Sequence, residues 1–187
     1  MTAETDEFLL IRRAARHDTE AMSQLYRLTA DRLFASCRRY VENAADAEDV
    51  LQESYLKIFS RLSAFSYRGP GSFLAWASRI VVNESISLLR RQKCLQTLCP
   101  DEEAPDTAGT PADEPPEGAG GIPPQVLQDM VCALPAGYRT VLNLYVFENK
   151  SHREIASLLN IAESTSASQL HRAKQMLARQ IKAYLKK

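Results

Sequence analysis

Residues 151–177 read SHREIASLLNIAESTSASQLHRAKQML, and this stretch decides the fold of the C-terminal third of the chain. Ser151 followed by Glu154 predicts a capping box at the start of a helix. Asn160 tolerates the left-handed conformation that would end that helix, and a second helix is expected to begin a few residues later. Two short helices joined by a tight turn are typical of a helix-turn-helix that docks in the DNA major groove.

The second of these helices has two different faces. Leu170, Ala173 and Leu177 lie on one face and are expected to be buried. The opposite face carries polar and basic residues: Thr165, Ser168, Gln169, His171, Arg172 and Lys174. Small polar side chains let a backbone approach base edges, and cations bind phosphate or guanine, so this face is expected to contact DNA. An ordinary helical hairpin with a solvated face is the alternative interpretation.

The composition sets broad limits. A chain of 187 residues is expected to form one or two domains. No apolar run reaches the length of a membrane span, and the acidic N-terminus does not fit a signal peptide, so we expect a cytoplasmic protein without membrane insertion. The four cysteines fit no zinc-binding spacing: Cys37, Cys94, Cys99 and Cys132. Cys94 and Cys99 could form a redox pair, but free thiols suit a reducing compartment better. Neither a metal nor a cofactor is expected.

The net charge of zero hides a strong segregation. Residues 1–95 contain 14 Lys/Arg and 12 Asp/Glu, a net charge of +2. Residues 96–122 contain no Lys or Arg and 7 Asp/Glu, a net charge of −7. Residues 123–187 contain 9 Lys/Arg and 4 Asp/Glu, a net charge of +5. The middle stretch is rich in Pro and Gly and cannot build a core. We therefore predict an N-terminal domain over the first range, a flexible acidic linker over the second, and a C-terminal domain over the third, whose basic charge suits a polyanion partner.

Apolar periodicity predicts an all-α fold with two small helical domains and no strand. The N-terminal domain is expected to contain helices within residues 5–40, over 44–63 and over 73–91, and Ser72 is expected to cap the last of them. One core face is predicted from six residues: Met22, Leu25, Leu28, Leu33, Phe34 and Cys37. The C-terminal domain is predicted to add two helices before the helix-turn-helix.

Acidic residues cluster near the start of the helix predicted over 44–63. Its first turns contain four carboxylates: Asp46, Glu48, Asp49 and Glu53. The helix dipole favours acids at this end, which accounts for them without any function. A carboxylate metal site is a second interpretation, although no histidine accompanies the acids. A face that docks on another protein is the third.

The sequence FSYRGPGS at 65–72 interrupts the helical pattern, because its Gly-Pro-Gly core requires a loop. Phe65, Tyr67 and Arg68 offer two aromatic faces and a cation, which could stack on an unpaired base. The alternative interpretation is that the two aromatic side chains are buried in the core. In the following helix, Asn83 lies among valines and would need a polar partner if it were buried.

Three segments, in this order, resemble the extracytoplasmic-function (ECF) group of bacterial sigma factors in the sigma-70 family. DAEDVLQESYLKIF (46–59) is similar to the group's polymerase-docking helix, and YRGPGSFLAWASRIVVN (67–83) to its promoter-melting loop and helix. LPAGYRTVLNLYVFENKSHREIASLLNI (134–161) with STSASQLHRAK (164–174) resembles the module that reads the minus-thirty-five element. The resemblance covers nearly the whole chain outside the linker. It implies a non-enzymatic subunit that directs core RNA polymerase to promoter DNA.

The resemblance assigns residues to three tasks. The positions that match the polymerase contacts are Asp46, Asp49, Gln52, Glu53 and Lys57. The positions that match the capture of a flipped base and the opened strand of the minus-ten element are Tyr67, Arg68, Gly69, Arg79, Asn83, Arg90 and Arg91. The positions that match the minus-thirty-five contacts are Ser164, Thr165, Ser168, Gln169, His171, Arg172 and Lys174. An anti-sigma partner, membrane-bound for many family members, is also implied.

Several positions depart from the family pattern. Ala162 stands where a capping Ser is common, and Ser166 replaces a common apolar residue. Ala167 and Gln169 replace common cations, so the recognition helix has fewer positive charges than is usual. We expect weak DNA affinity from this domain alone and a shallow dependence of that affinity on salt.

Two other functions fit parts of the sequence. A stand-alone helix-turn-helix regulator would bind a two-fold site as a dimer, but it leaves the acidic helix and the Gly-Pro-Gly loop unexplained. A metal-dependent hydrolase using Asp46, Asp49 and Glu53 lacks a nucleophile, a histidine set and a phosphate-gripping loop. Co-purification with polymerase would exclude the regulator, whereas metal-dependent turnover lost on Asp49→Ala would support the hydrolase.

Overall fold

A computed structural model describes residues 3–92 and 119–186 of the chain. The chain divides into two compact units, Met1–Leu88 and Leu89–Lys187. All regular structure in the described ranges is helical, which confirms the predicted all-α class. Most of the predicted linker, and Cys94 and Cys99, which are expected to be free thiols, lie outside the described residues.

The described residues 3–92 form four α-helices and a short 3-10 turn, and the last helix extends past Leu88 to Arg91. The helices are α1 (Ala3–Ala14), α2 (Thr19–Arg38), α3 (Ala44–Arg61) and α4 (Ser72–Arg91), and the 3-10 turn is Leu62–Ala64. Asp18 and Asn43 begin α2 and α3, because each side-chain oxygen accepts two backbone N–H groups of the first turn. Helix α2 packs against both α1 and α3. The fully buried core includes Leu25, Leu33, Ile58, Leu62, Phe73 and Val81.

The predicted core face of α2 is only partly correct. Leu25, Leu33 and Cys37 are buried, and Met22 and Phe34 are half-buried, but Leu28 is 68% exposed. Successive residues of an α-helix are rotated by about 100°, which puts Leu28 roughly opposite Cys37 around the helix axis. The prediction that Leu28 is buried is therefore wrong.

A buried polar contact joins α2 to α3. The hydroxyls of Thr29 and Tyr55 lie 2.8 Å apart, and Thr29 Oγ1 also donates to Leu25 O at 2.7 Å. Burial raises the pKa of Tyr55 to about 12 and the pKa of the Cys37 thiol to about 11. Both groups are therefore neutral near pH 7, as a packed helical interface requires.

The C-terminal unit, in its described part, contains a 3-10 turn and four α-helices. These are Ala119–Gly121, followed by α5 (Pro124–Cys132), α6 (Ala136–Val146), α7 (His152–Leu159) and α8 (Glu163–Leu185). Helices α6 and α7 both pack against α8. Arg139 is only 2% exposed, and its guanidinium donates to Cys132 O, so that it satisfies a carbonyl at the end of α5. Across the described ranges, no helix is long and apolar enough to cross a bilayer.

Candidate functional site

The first candidate surface lies on α3. Only Asp46 lies in the first turn of the helix, so the helix dipole does not account for Asp49 and Glu53. Asp49, Gln52 and Glu53 are exposed, whereas Asp46 and Lys57 are half-buried. Lys57 Nζ forms an ion pair with Glu84 Oε2 of α4, so part of its charge is used to hold the two helices together. The exposed acidic stripe favours the docking interpretation.

Sequence reasoning missed one residue of this surface, Leu56. It is 73% exposed, although leucine in a helix is usually part of the core. Leu56 follows Glu53 by three residues and Gln52 by four, which places the three side chains on one face of α3. The helical spacing that places Gln52 and Glu53 on one face could also have predicted that Leu56 lies on that face. A single exposed leucine is common on protein surfaces, so it is the position of Leu56 beside Gln52 and Glu53, and not its exposure, that associates it with this face.

The described residues offer no metal site. No group of three or more His, Cys, Asp or Glu side chains within 3–92 and 119–186 is arranged to hold a metal ion. Asp46, Asp49 and Glu53 therefore do not form the carboxylate site that the hydrolase interpretation requires.

The second candidate surface begins at the loop before α4. Gly69 and Gly71 have φ values of +116° and +79°, which residues with a side chain rarely adopt. Ser72 Oγ donates to Gly69 O at 2.7 Å and accepts the N–H of Arg68 at 3.2 Å. Gly71 O accepts the N–H of Ala75, so Gly71 precedes the helix and Ser72 lies within it. The expectation that Ser72 caps α4 is wrong, because its hydroxyl braces the loop instead.

The aromatic residues of this loop have different environments. Phe65 packs edge-on against Phe73, with ring centroids 5.9 Å apart, and lies 5.0 Å from the Trp76 ring. Phe65 is therefore a core plug, as the alternative interpretation states. Tyr67 is half-buried against α1, and Arg68 is exposed. The loop thus keeps an accessible cation and an anchored tyrosine.

An exposed polar stripe continues from the loop along α4. Arg79, Asn83, Ser87 and Arg90 are all exposed and recur every three or four residues, so they lie on one helix face. Ser87 Oγ donates to the backbone carbonyl of Asn83 at 2.8 Å, and Asn83 itself is exposed. Asn83 therefore needs no buried polar partner, because only the neighbouring Val81 and Val82 are buried. Arg91 is also exposed.

The third candidate surface is the helix-turn-helix, and its start and turn form as predicted. The N–H and hydroxyl of Ser151 each donate to Glu154 Oε2 at 2.9 Å, and Glu154 N–H donates to Ser151 Oγ at 3.3 Å. These bonds, together with Lys150, hold the pKa of Glu154 below its usual 4.5. Asn160 ends α7 in the left-handed conformation, with φ 55° and ψ 48°.

The recognition helix α8 begins without a side-chain cap at Ala162, as the departure from the family pattern predicts. Its accessible polar residues are Ser164, Ser168 and His171, which are exposed, and Thr165, Arg172 and Lys174, which are half-buried. Gln169 is only 6% exposed, so the expectation that it lies on the outer face is wrong. It precedes Leu170 and lies four residues before Ala173, and both of these neighbours are buried.

The unusual Ser166 has a partner in the first helix. It is fully buried, and its Oγ lies 3.0 Å from Nδ1 of His152 at the start of α7. The His152 ring in turn stacks on Tyr145 of α6, with ring centroids 5.1 Å apart and planes inclined by 24°. A polar contact therefore joins the two helices where the family often has an apolar one, and it fixes the start of α8 against α7.

A helix-turn-helix of this kind is typical of DNA-binding transcription proteins. The Sigma-70 region 2 family model matches residues 25–94, and the model of Sigma-70, region 4 matches residues 125–177. The chain belongs to the sigma-70 family of RNA polymerase sigma factors, in its extracytoplasmic-function group.

Two known relatives are similar over nearly their whole length. The chain is 26% identical to the ECF RNA polymerase sigma factor SigW of Bacillus subtilis, over 92% of this chain and 95% of the relative. It is 28% identical to the RNA polymerase sigma-H factor of Pseudomonas aeruginosa, over 100% and 98% of the two chains. Among solved structures, it is similar to the sigma factor RpoE of Bartonella quintana, solved in complex with the anti-sigma factor NepR. That similarity has a TM-score of 0.49 and 22% identity, over 86% of this chain and 96% of the other.

Proposed function

We propose that this sigma factor binds core RNA polymerase through the exposed face of α3. The contact residues would be Asp49, Gln52, Glu53 and Leu56, with Asp46 and Lys57 at the edge of the contact surface. The carboxylates would speed encounter with a basic surface and fix its register, while burial of the leucine would supply affinity. The observation that carries this proposal is the exposed polar and acidic face of α3 formed by Asp49, Gln52 and Glu53, which lies beyond the first turn and so is not explained by the helix dipole.

The loop before α4 and the stripe along α4 would bind the opened minus-ten element. Tyr67, Arg68 and Gly69 would border the pocket for a flipped base. The strand would then follow the exposed polar residues Arg79, Asn83, Arg90 and Arg91. Removal of a base from the duplex stack costs a few kcal/mol, so a loop already held in shape lowers the barrier to melting.

The outer face of α8 would read the minus-thirty-five element in the major groove. Ser164, Thr165, Ser168 and His171 would approach base edges, and Arg172 and Lys174 would bind phosphates or guanine. Gln169 is left out of this set because it is buried. With few cations on this face, the unit would rely on the polymerase for stable promoter binding.

The remaining parts of the account follow from this assignment. The chain would act in the cytoplasm, and phosphodiester formation would belong to the polymerase. Domain limits of 1–95 and 123–187, joined by an acidic linker, would let the two DNA readers reach separate promoter elements. An anti-sigma partner, anchored in the membrane in the manner common to the family, would cover exposed apolar residues such as Tyr145, Val146 and Phe147. A pull-down from membranes that recovers no such partner would count against that last part.

Run-off transcription tests the proposal. The full-length chain and core RNA polymerase would be incubated with a genomic DNA library, and the 5′ ends of the transcripts would be sequenced. We expect a limited set of start sites that share two upstream motifs, and none of these starts with core polymerase alone. A chain that fails to co-elute with polymerase and instead protects a two-fold symmetric site would support the stand-alone regulator.

A further inference from the structure

The carboxylate of Glu7 in helix α1 contacts the Tyr67–Ser72 loop at two points. The Tyr67 hydroxyl donates to Glu7 Oε2 at 3.3 Å, and the backbone N–H of Gly71 donates to the same oxygen at 3.4 Å. These two donors lie on either side of the loop's Arg68-Gly69-Pro70 tip, and Glu7 is 60 and 64 residues away from them in sequence. One acceptor from a distant helix therefore ties together both ends of the loop.

An aromatic contact accompanies these hydrogen bonds. The rings of Phe8 and Tyr67 have centroids 5.3 Å apart, with planes inclined by 46°. The Arg12 guanidinium, one turn further along the same helix, lies 5.6 Å from the centroid of the Phe8 ring. Phe8 is nevertheless 36% exposed, so core packing does not account for its position. Consecutive residues of α1 thus hold the hydroxyl and the ring of the same tyrosine.

The loop is also braced from within by the Ser72 hydroxyl. Ser72 braces residues 68–72 among themselves, but its bonds do not reach Tyr67. Two glycines with positive φ give the segment a large conformational freedom when it is not held. A carboxylate beside a segment that binds a polyanion is also electrostatically unfavourable for binding. Its position is better explained by the two bonds that it accepts than by any contact with DNA.

We propose that Glu7 and Phe8 are positioning residues that preorganise the Tyr67–Ser72 loop for capture of the flipped base. This inference rests on the proposed function of the loop. Without the Glu7 anchor the loop would sample many shapes, and each capture event would have to order it again. The effect belongs to promoter melting, so it should be large on duplex DNA and small on DNA that is already open.

Three full-length variants test the inference with core polymerase and a promoter found by run-off transcription. Glu7→Ala removes the acceptor, Glu7→Gln keeps an acceptor oxygen without the charge, and Asp6→Ala removes a neighbouring exposed carboxylate as a matched control. The rate of opening is followed by the fluorescence of 2-aminopurine placed in the minus-ten element. Transcript yield is compared between the duplex and the same promoter with an unpaired minus-ten segment.

We expect Glu7→Ala to open the duplex roughly tenfold more slowly, on the scale of lost hydrogen bonds to a charged group. Asp6→Ala should stay within about twofold of wild type, and Glu7→Gln should open at a rate between those of wild type and Glu7→Ala, because a neutral acceptor forms weaker hydrogen bonds. Glu7→Ala should recover most of its yield on pre-opened DNA. Equal rates for Glu7→Ala and Asp6→Ala would overturn the inference. An equal loss on both templates, or a weakened affinity for core polymerase, would overturn it too, since either would indicate a general structural role. If wild type itself gives no promoter-specific transcript, the proposed function fails first.

Discussion

Substitution of Leu56 by alanine tests the polymerase-docking surface. Leu56 is 73% exposed on α3, so its truncation removes little packing inside the free protein and should leave the free energy of unfolding nearly unchanged. If the face docks on polymerase, most of that exposed apolar surface becomes buried in the complex. The loss should then be one of affinity rather than of stability.

The expected magnitude follows from the exposed area. Full burial of a leucine side chain contributes about 1.5–3 kcal/mol, and alanine retains part of it, so the lost contribution is about 1–1.5 kcal/mol. This corresponds to a roughly five- to tenfold increase in Kd for core polymerase. Competition of labelled wild type against each variant for core polymerase, followed by fluorescence anisotropy, measures the change.

Leu28 supplies the matched control. It is a leucine of the same unit, exposed to a similar extent at 68%, on α2 rather than on the acidic face. Leu28→Ala should leave the Kd within about twofold of wild type, because its area is not part of the proposed contact. Equal Kd values for the two variants would refute the reasoning, whether both are unchanged or both are weakened.

Three further predictions concern the free protein. Because the pKa of Glu154 is lowered in the folded state, its carboxylate stabilises the fold above about pH 4.5, and this contribution is lost as the pH falls. Glu154→Gln should therefore make the free energy of unfolding depend less on pH between pH 7 and pH 3, as measured by urea unfolding followed by circular dichroism. Asn160 has a φ of 55°, so Asn160→Val should lower the free energy of unfolding by about 1–2 kcal/mol, whereas Asn160→Gly should change it by less than about 0.5 kcal/mol in the same assay. Burial raises the pKa of Cys37 to about 11, so a disulfide reagent at pH 8 should label Cys37 much more slowly than the half-buried Cys132, as mass spectrometry of labelled peptides would report.

Local signals made the helical architecture predictable from sequence. The capping box at Ser151 and Glu154 depends on residues three apart, and the left-handed turn at Asn160 depends on one residue type. Such features need no knowledge of the tertiary fold. The sigma-factor resemblance held for the same reason, because its three motifs are contiguous segments.

The errors arose where a side chain's environment depends on packing between elements. Polarity predicts that Gln169 is exposed and periodicity predicts that Leu28 is buried, yet Gln169 is buried and Leu28 is exposed. The partnership of Glu7 with Tyr67 joins residues 60 apart, and no pattern along the chain indicates it. The contact between His152 and Ser166 likewise depends on how α7 lies against α8.

Site-specific photo-crosslinking tests the central claim most directly, which is that the two units read separate promoter elements. A photoreactive phenylalanine would replace the exposed Arg68 in one variant and the exposed Ser168 in another, each assembled with core polymerase on a mapped promoter. We predict that the Arg68 probe crosslinks to the unpaired strand of the minus-ten element, and that the Ser168 probe crosslinks to duplex DNA near minus thirty-five. Crosslinks from both probes to one element, or crosslinks that do not depend on core polymerase, would contradict the account.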